Sequence, residues 1–293
     1  MTSSPTRSRG GDGRSRDLTR PPAPEPLAVP VADTHCHLDI ADGPDGAWLE
    51  PAQAIALAVE AGVDRIVQIG CDLPGARWAV TTASAHSELV AGVALHPNEA
   101  PLLAARGKLE AALAEIDALA AHERARAVGE TGLDHFRTGE DGRAAQEESF
   151  RAHIAMAKAH RKPLVIHDRD AHEDVLRCLR EEGAPDTVVF HCFSGDEAMA
   201  RYCADRGWLL SFAGTVTFKN AQPLRDALVA VPRDVLLVET DAPYLTPTPH
   251  RGRPNASYLV PITVRAMADV RGEDVDELCG VMSATSDRVF GPW

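Results

Sequence analysis

The chain has 293 residues, of which 44% are hydrophobic and 25% charged, and its formal net charge is −13. This composition is that of an ordinary globular protein and excludes a mostly disordered chain, a collagen and a coiled coil. No run approaches the roughly 20 apolar residues of a membrane helix, and the six cysteines form no Cys-x-x-Cys pair. We therefore predict a cytoplasmic protein with no membrane association and no obligate protein partner. The negative charge disfavours a broad basic groove for nucleic acid, but it is compatible with a small acidic pocket that holds cations.

The first part of the chain differs in composition from the rest. Residues 1–27 are rich in Ser, Gly, Arg and Pro and show no apolar period, which is typical of disorder. They lack the apolar centre of a secretory signal. Their arginines could contact an acidic partner, although a solvated leader is the simpler interpretation. We predict a disordered tail over 1–27 and one domain over 28–293, and we expect removal of the tail to leave metal content and activity unchanged.

Short apolar runs alternate with helical stretches in the remaining chain. Continuous runs of this kind suit strands that are buried on both faces, and eight are present, at 31–34, 65–71, 89–95, 126–130, 164–167, 187–191, 208–212 and 235–239. Between them, Pro51 and Gly62 are placed to begin and end a helix, and residues 143–161 carry apolar side chains at helical spacing. Eight strands that alternate with helices predict a single-domain α/β protein with a (β/α)8 TIM-type barrel. A doubly wound open sheet is the alternative.

Histidines and carboxylates stand where these runs end. All strand carboxyl ends of a barrel face one mouth, so six side chains should converge there, namely His35, His37, Glu130, His167, His191 and Asp241. Nitrogen and oxygen donors without a thiolate suit a divalent ion such as Mg, Mn or Zn. Six donors exceed the needs of one open ion and suit two, with one carboxylate bridging them. Such a pair can hold a hydroxide and stabilise charge on a phosphoryl or carbonyl group.

Each of these residues has a plainer interpretation when it is taken alone. A buried histidine at a strand end is commonly structural, and Asp241 before Ala-Pro could form a turn or cap a helix. Glu130 could pair with a helix end or a basic residue. The prediction of a metal site rests on the combination at consistent strand ends.

Six ordered segments carry a resemblance to a known family. They are D-T-H-C-H-L-D, G-V-A-L-H-P, G-E-T-G-L-D, P-L-V-I-H-D-R, F-H-C-F-S-G and E-T-D-A-P-Y-L. In this order the chain resembles the TatD family of metal-dependent hydrolases and deoxyribonucleases over about residues 31–290. The resemblance implies an amidohydrolase-like barrel and a metal-dependent nuclease that acts on a DNA end.

The resemblance also implies a role for each residue of the cluster. His35, His37 and Asp241 would hold a first ion, and His167 and His191 a second. Glu130 would bridge the two ions. Other two-ion members of the superfamily often use a carboxylated lysine as the bridge, so a glutamate at the end of the fourth strand favours the TatD type.

One loop departs from the family pattern. After P-H-R-G, family members often show Asn-Glu-Pro or Asn-Gln-Pro, whereas here Asn255 is followed by Ala256 and Ser257. If this loop shapes the substrate pocket, the departure affects substrate preference rather than metal binding.

Further residues are candidates for substrate contact, namely His96, Asp134, Ser194, Lys219, Arg251 and Arg253. His96 could contact substrate or serve packing beside Pro97, and Asp134 could orient a ligand histidine or cap a helix. Ser194 could offer its hydroxyl to a phosphate or cap a helix. The three basic residues follow the seventh and eighth strands, where they could clamp phosphates or remain solvated.

These features lead to three hypotheses for function. The first is a two-metal deoxyribonuclease or exonuclease, in which Glu130 and Asp241 position an attacking hydroxide and Asp241 accepts a proton. The second keeps the barrel and cleaves a small phosphoester or amide, because the fold does not decide the bond. The third is a metal-stabilised scaffold without catalysis, which the complete ligand set disfavours.

Overall fold

The computed structural model describes residues 4–9, 17–43 and 47–293. Its strands are β1 (Arg7–Ser8), β2 (Val31–Cys36), β3 (Ile40–Ala41), β4 (Val63–Gly70), β5 (Leu89–Val93), β6 (Ala125–Asp134), β7 (Leu164–Arg169), β8 (Val188–Phe190), β9 (Leu209–Phe212) and β10 (Leu236–Val238). Eight of them form one parallel sheet in the order β10-β9-β8-β7-β6-β5-β4-β2, and β1 pairs with β3 in a separate small sheet. Every predicted apolar run therefore contributes a strand of the large sheet.

The two outer strands of the large sheet meet and close it into a barrel. Cys36, at the end of β2, forms a parallel bridge to Ala242 beyond β10. The hydroxyl of Thr34 donates a hydrogen bond to the carbonyl oxygen of Val238 at 2.9 Å. The predicted (β/α)8 barrel is confirmed, and the doubly wound open sheet is not what the chain forms.

Helices follow the strands and pack around them. They are α1 (Pro51–Glu60), α2 (Leu73–Ala85), α3 (Glu99–Ala104), α4 (Leu109–Ala120), α5 (Glu140–His160), α6 (His172–Glu182), α7 (Glu197–Ala204), α8 (Gln222–Ala230), α9 (Val260–Arg271) and α10 (Val275–Phe290). Short 3-10 turns lie at Gly214–Thr217, Arg233–Val235 and Ser257–Leu259. Pro51 begins α1 as predicted, since its fixed φ suits the first turn. The predicted helix over 143–161 is confirmed as part of α5, which runs from Glu140 to His160 and is followed by Arg161 as its C-cap.

Apolar side chains fill both faces of the sheet. One buried cluster lies inside the barrel and includes Val67, Val90, Val165 and Leu237, with Phe290 of α10 packed against it. A larger cluster lies between the strands and the surrounding helices. Because the interior is packed, it leaves room for polar chemistry only at the mouth.

The segment before β2 contacts the barrel more closely than the sequence predicts. Of the predicted disordered tail, residues 1–3 and 10–16 lie outside the described residues. In the described part, Leu27 is buried in the main core, and the Tyr258 hydroxyl donates to the Pro21 carbonyl at 2.6 Å. Arg265 donates to the carbonyl of Glu25 at 2.8 Å. Residues 17–27 are mostly exposed, but main-chain carbonyls of this segment accept hydrogen bonds from barrel side chains, which the absence of an apolar period does not reveal.

Candidate metal centre

The six predicted ligand residues all lie at the carboxyl end of the barrel. His35 is in β2 and His37 just beyond it, Glu130 is in β6 and His167 in β7. His191 follows β8 directly, and Asp241 follows β10. The structure therefore brings together side chains that are far apart in the sequence.

A glycine two residues after Glu130 permits the close packing of β6 against β7. Gly132 has φ +137°, and a Cβ at this position would lie 2.0 Å from the carbonyl oxygen of His167. No other residue fits there without moving the His167 main chain. The second glycine of the G-E-T-G-L-D segment, Gly132, therefore helps to place His167 beside Glu130.

The Glu130 carboxylate lies at the centre of the cluster and presents its two oxygens to two different sets of groups. Oε1 is 3.6 Å from His35 Nε2 and 3.5 Å from His37 Nε2. Oε2 is 3.2 Å from His167 Nδ1 and 3.0 Å from His191 Nε2. This two-sided arrangement is the geometry that a bridging carboxylate requires.

Asp241 closes the side of the cluster near β2. Its Oδ1 is 3.4 Å from His37 Nε2 and 3.9 Å from His35 Nε2. The side chain of Asp241 is 14% exposed, against 5% for Glu130. Its main chain has φ 54°, a left-handed conformation that is uncommon for a non-glycine residue and concentrates at functional sites.

His35 supplies the clearest test of whether a cation fits. Its side chain is fully buried, and neither Nδ1 nor Nε2 has a hydrogen-bond partner among the described residues. Its ring stacks on that of His191 with centroids 3.8 Å apart. Buried polar groups are normally satisfied, so an unpartnered imidazole beside two carboxylates fits a ligand of a divalent ion.

Several overlapping triads of donor atoms in this cluster are close enough to hold an ion. Their members lie within 4.8 Å of one another, and the triads are His35–Glu130–His191, His35–His37–Asp241, His37–Cys71–Glu130 and His96–Glu130–His167. Imidazole and carboxylate donors suit Zn or Mn, and carboxylates suit Mg. The donor set therefore fits divalent metal ions.

The electrostatics of the cluster point the same way. Burial alone would raise the pKa of Glu130, but His191 and His96 outweigh it and hold that pKa well below its usual value. Burial would lower the pKa of His191, but Glu130 and Glu239 raise it well above its ordinary value. The Glu130 carboxylate thus stays ionised and draws positive charge into a buried site. A metal ion that binds here would take the place of histidine protons.

Two of the predicted ligand histidines have a second carboxylate behind them. His191 Nδ1 lies 3.1 Å from Glu239 Oε1, and Glu239 is fully buried. His167 Nε2 lies 3.4 Å from Asp134 Oδ2. A carboxylate in this position fixes the ring orientation and raises the basicity of the ligand nitrogen.

Two residues of the site were missed by the sequence analysis. Glu239 ends the eighth apolar run, and the sequence pattern indicates only that it belongs to the strand. Its position behind His191 in the structure reveals that it can orient the imidazole. Cys71 ends the second run, and its Sγ lies 3.1 Å from Glu130 Oε1 and 3.6 Å from His37 Nδ1. Its place at a strand end was the available signal.

Two of the candidate substrate-contact residues lie in or behind the cluster. His96 Nε2 is 3.8 Å from Glu130 Oε2, and the His96 ring is 4.5 Å from that of His167. Asp134 is 1% exposed and accepts hydrogen bonds from Asn98 Nδ2 at 3.1 Å and from the Arg137 amide at 2.8 Å. Asp134 does not cap α5, which begins after Gly139. Its position beside His167 suits an orienting role rather than contact with substrate.

The remaining candidates have other partners. The Ser194 hydroxyl donates to the Asp168 carbonyl at 3.1 Å, while α7 is capped by Asp196 instead. The Arg251 guanidinium lies 4.0 Å from the centre of the Phe218 ring, next to the exposed Lys219.

Arg253 binds the segment that precedes the barrel. It donates to the carbonyls of Thr19 at 2.8 Å and Arg20 at 2.9 Å, and it pairs with Asp17 at 3.4 Å. These contacts engage Nε and Nη2 of Arg253, and the role of Arg253 in clamping a substrate phosphate stays a prediction.

The loop that departs from the family pattern stabilises the turn that carries Asp241. Asn255 Nδ2 donates to the carbonyls of Thr240 at 2.9 Å and Tyr244 at 2.5 Å, so it holds the turn that carries Asp241. Ala256 belongs to a small buried apolar cluster with Ala61 and Leu259. The departure therefore lies in packing against α1.

A parallel barrel with histidines and carboxylates converging at its mouth is the arrangement of a metal-dependent hydrolase. A family model described as TatD related DNase matches residues 32–291. The chain belongs to the TatD family of metal-dependent hydrolases.

Curated relatives match along nearly their whole length. The uncharacterized metal-dependent hydrolase TatD of Mycobacterium tuberculosis is 46% identical over 265 residues, which cover 89% of this chain and 98% of the relative. The uncharacterized metal-dependent hydrolase YabD of Bacillus subtilis is 36% identical, with 88% and 98% covered. These names support metal-dependent hydrolysis.

Solved structures agree with the fold. The TatD homolog YjjV of Escherichia coli has a TM-score of 0.78 at 26% identity, with 89% of this chain and 98% of that chain covered. A TatD family hydrolase of Entamoeba histolytica has a TM-score of 0.77 at 17% identity, with 91% and 100% covered. At that lower identity only the fold is shared.

The described residues contain no helix that combines the length and apolarity needed to cross a bilayer. The cytoplasmic location, the boundary between tail and domain at residue 28 and the independence from an obligate protein partner stay predictions.

Proposed function

We propose that this protein is a divalent-metal-dependent deoxyribonuclease that hydrolyses phosphodiester bonds at the end of a DNA strand. The observation that carries the proposal is the Glu130 carboxylate, whose two oxygens face two separate groups of histidines. The description of the matching family model as a DNase supports the choice of substrate.

We assign His35, His37 and Asp241 to one ion, His167 and His191 to a second, and Glu130 to both. His96 lies where it could assist on the side of His167. Two divalent ions would supply positive charge that stabilises the phosphoryl oxygens as the bond changes.

The proposed reaction divides the work between two carboxylates. Water attacks phosphorus in line with the leaving oxygen, a new P–O bond forms, the bond to the leaving deoxyribose oxygen breaks, and that oxygen takes up a proton from solvent. Asp241 accepts the proton of the attacking water, since it is the more exposed of the two carboxylates. His37 and His191 lower its pKa against the effect of burial, so it is ionised and able to accept a proton. Glu130 stays ionised and orients the histidines around it.

The shape and charge of the site favour a strand end over a long duplex. Glu130 is 3% exposed and His35 is fully buried, so the reacting phosphate has to enter a recess. The net charge of −13 disfavours extended contact with a duplex backbone. At the rim, Phe136 is 62% exposed, and such a ring suits stacking on a terminal base.

The test is an end-labelled digestion. Purified protein is incubated with single-stranded DNA labelled at either end, with Mg, Mn, Zn or chelator, beside Glu130→Gln. The exposed Glu148→Gln on α5 is the matched control. We expect metal-dependent shortening from one end by the wild type and loss of that activity in Glu130→Gln. The control Glu148→Gln should retain full activity. Absence of cleavage, with metal found by elemental analysis, would refute the DNase and direct the search to small phosphoesters and amides.

A further inference from the structure

A short segment ahead of the barrel lies at the rim of the metal centre. Residues Thr6–Arg9, which we call the N-terminal arm, contain β1 and pair in parallel with β3. The Thr6 amide donates to the Asp39 carbonyl at 2.9 Å, and the Arg9 amide donates to the Ala41 carbonyl at 2.8 Å. Since the strand it joins follows the His35–His37 segment directly, the arm lies beside the predicted ligands.

The arm is an addition to the family core. The family model begins at residue 32, so the arm lies outside the part that the match covers. Its partner Asp39 lies inside that part, as the last residue of D-T-H-C-H-L-D. Asp39 is fully buried, and its carboxylate also accepts a hydrogen bond from Gln68 Nε2 at 3.0 Å. A fixed acidic residue of the core thus receives the arm.

Arg7 turns its guanidinium towards the mouth. Nη2 lies 3.5 Å from Asp39 Oδ2. Burial lowers the pKa of Arg7, but Cys71, Asp39 and Asp72 outweigh it and keep the side chain charged. The same charge acts on Tyr244. Cys71 in turn contacts Glu130 and His37, so one side chain separates Arg7 from the predicted ligands.

The donors of Arg7 are not fully used. Nε and Nη2 are buried and make no hydrogen bond among the described residues, although Nη2 belongs to the ion pair with Asp39, and 30% of the side chain is exposed. A guanidinium carries five N–H donors in a planar fork. A buried donor that makes no hydrogen bond destabilises the folded protein. Two adjacent donors next to a site for phosphate chemistry match the two oxygens of a phosphate.

Arg9 fixes the other end of the arm. Its Nη1 donates to the Pro243 carbonyl at 2.6 Å, and its guanidinium lies 5.2 Å from the centre of the Tyr244 ring. The Tyr244 ring is 6.3 Å from that of His37. The arm is therefore held on both sides of the mouth, against β3 and against the loop after β10.

We propose that Arg7, presented by the N-terminal arm, binds a substrate phosphate next to the one that is cleaved. This inference rests on the proposed function and specifies how its substrate is gripped. It adds Arg7 to Lys219, Arg251 and Arg253, the basic residues that the sequence predicts as phosphate contacts. It also predicts, against the expectation from the sequence, that removal of residues 1–27 weakens substrate binding.

The experiment measures binding separately from cleavage. The probe is a fluorescein-labelled single-stranded oligonucleotide with phosphorothioate linkages, and its affinity for the full chain is measured by fluorescence anisotropy with Mg. We compare the wild type with Arg7→Gln, with Arg7→Lys and with a chain that lacks residues 1–9. The control is Arg201→Gln, because Arg201 is an exposed arginine of α7 paired with Glu197.

Loss of a charge-assisted contact should weaken binding by about tenfold in Arg7→Gln and in the shortened chain. Arg7→Lys should recover part of the affinity, since it keeps the charge and loses the fork. On cleavable DNA, KM should rise more than kcat falls. Metal content and circular dichroism check that each variant remains folded.

Three outcomes would overturn the inference. They are equal affinity of Arg7→Gln and wild type, faster cleavage after removal of the arm, which would mean that the arm obstructs the site, and no binding of the oligonucleotide by the wild type. The two proposals fail in different ways. Arg7-dependent binding without cleavage refutes the nuclease alone, whereas cleavage that is indifferent to Arg7 refutes the role of the arm alone.

Discussion

Glu239 stands behind His191 and orients it towards the centre of the site. Glu239 Oε1 lies 3.1 Å from His191 Nδ1 and accepts a second hydrogen bond from the Cys192 amide at 2.9 Å. The opposite nitrogen of His191 is 3.0 Å from Glu130 Oε2. The carboxylate thus selects which imidazole nitrogen would face a metal ion.

Glu239→Gln should weaken metal binding while the protein stays folded. The amide preserves the shape and a hydrogen bond to His191 but removes the charge that makes the imidazole a better ligand. Loss of such a partner costs about 10–100-fold in metal affinity. Calorimetric titration of metal-free protein with Mn or Zn measures the change, and Glu148→Gln is the control. Unchanged affinity would show that Glu239 serves packing only.

Asp241→Asn should abolish proton transfer without unfolding the chain. Asparagine keeps the size of the side chain and cannot accept the proton, so kcat on DNA should fall by about 10²–10⁴-fold. Metal content, measured alongside, separates loss of the base from loss of a ligand. Retention of full activity would remove Asp241 from the mechanism.

Phe136→Ala should weaken binding of single-stranded DNA and leave stability nearly unchanged. The ring is 62% exposed, follows β6 at the mouth, and lies 3.9 Å from the Arg169 guanidinium. Stacking on a base contributes about 1–3 kcal/mol, so affinity should fall by roughly five- to 150-fold. Val229→Ala is the control, since Val229 is 56% exposed on α8. Equal affinities of wild type and Phe136→Ala would exclude a stacking role.

His153 should make the stability of the protein depend on pH. It is fully buried in α5, its Nδ1 donates to the Ser149 carbonyl at 2.6 Å, and its Nε2 accepts from the Leu95 amide at 3.1 Å. Burial lowers the pKa of His153 to about 4. The folded protein therefore favours neutral imidazole, and this contribution is complete above the unfolded pKa of about 6.5 and is lost as pH falls towards about 4.

Urea unfolding between pH 8 and pH 4 measures this effect. A shift from about 6.5 to about 4 corresponds to about 3 kcal/mol of unfolding free energy at the acid end. His153→Leu should be less stable at pH 8, because the Leu95 amide loses its acceptor, and its stability should fall less steeply with acid. Parallel pH curves for the two proteins would contradict the assignment.

Much of the site could be predicted because its residues come at strand ends. Parallel strands of a barrel must present their carboxyl ends at one mouth, so the sequence alone predicts that His35, Glu130 and Asp241 lie close together. His96 was a candidate on the same ground, but its plainer packing role was equally compatible with the sequence. Its distance to Glu130 is a property of the closed barrel.

Residues that act through another side chain were not predictable in this way. Glu239 lies inside an apolar run, and its contact with His191 joins two strands 48 residues apart. Arg253 carries the charge of a phosphate ligand, yet it binds the main chain of Thr19 and Arg20. The sequence identifies the charge of a side chain, whereas the partner that the side chain contacts depends on the fold.

The sequence by itself determined the alternation of strands and helices, the barrel and the set of metal-type donors, because hydrophobic periodicity and strand-end position are local properties of the chain. Tertiary structure alone decided how the two oxygens of Glu130 are shared and where Arg7 points. Both depend on contacts between distant segments. Distances of a few ångströms across a barrel mouth are set by the packing of the whole domain, so no local pattern encodes them.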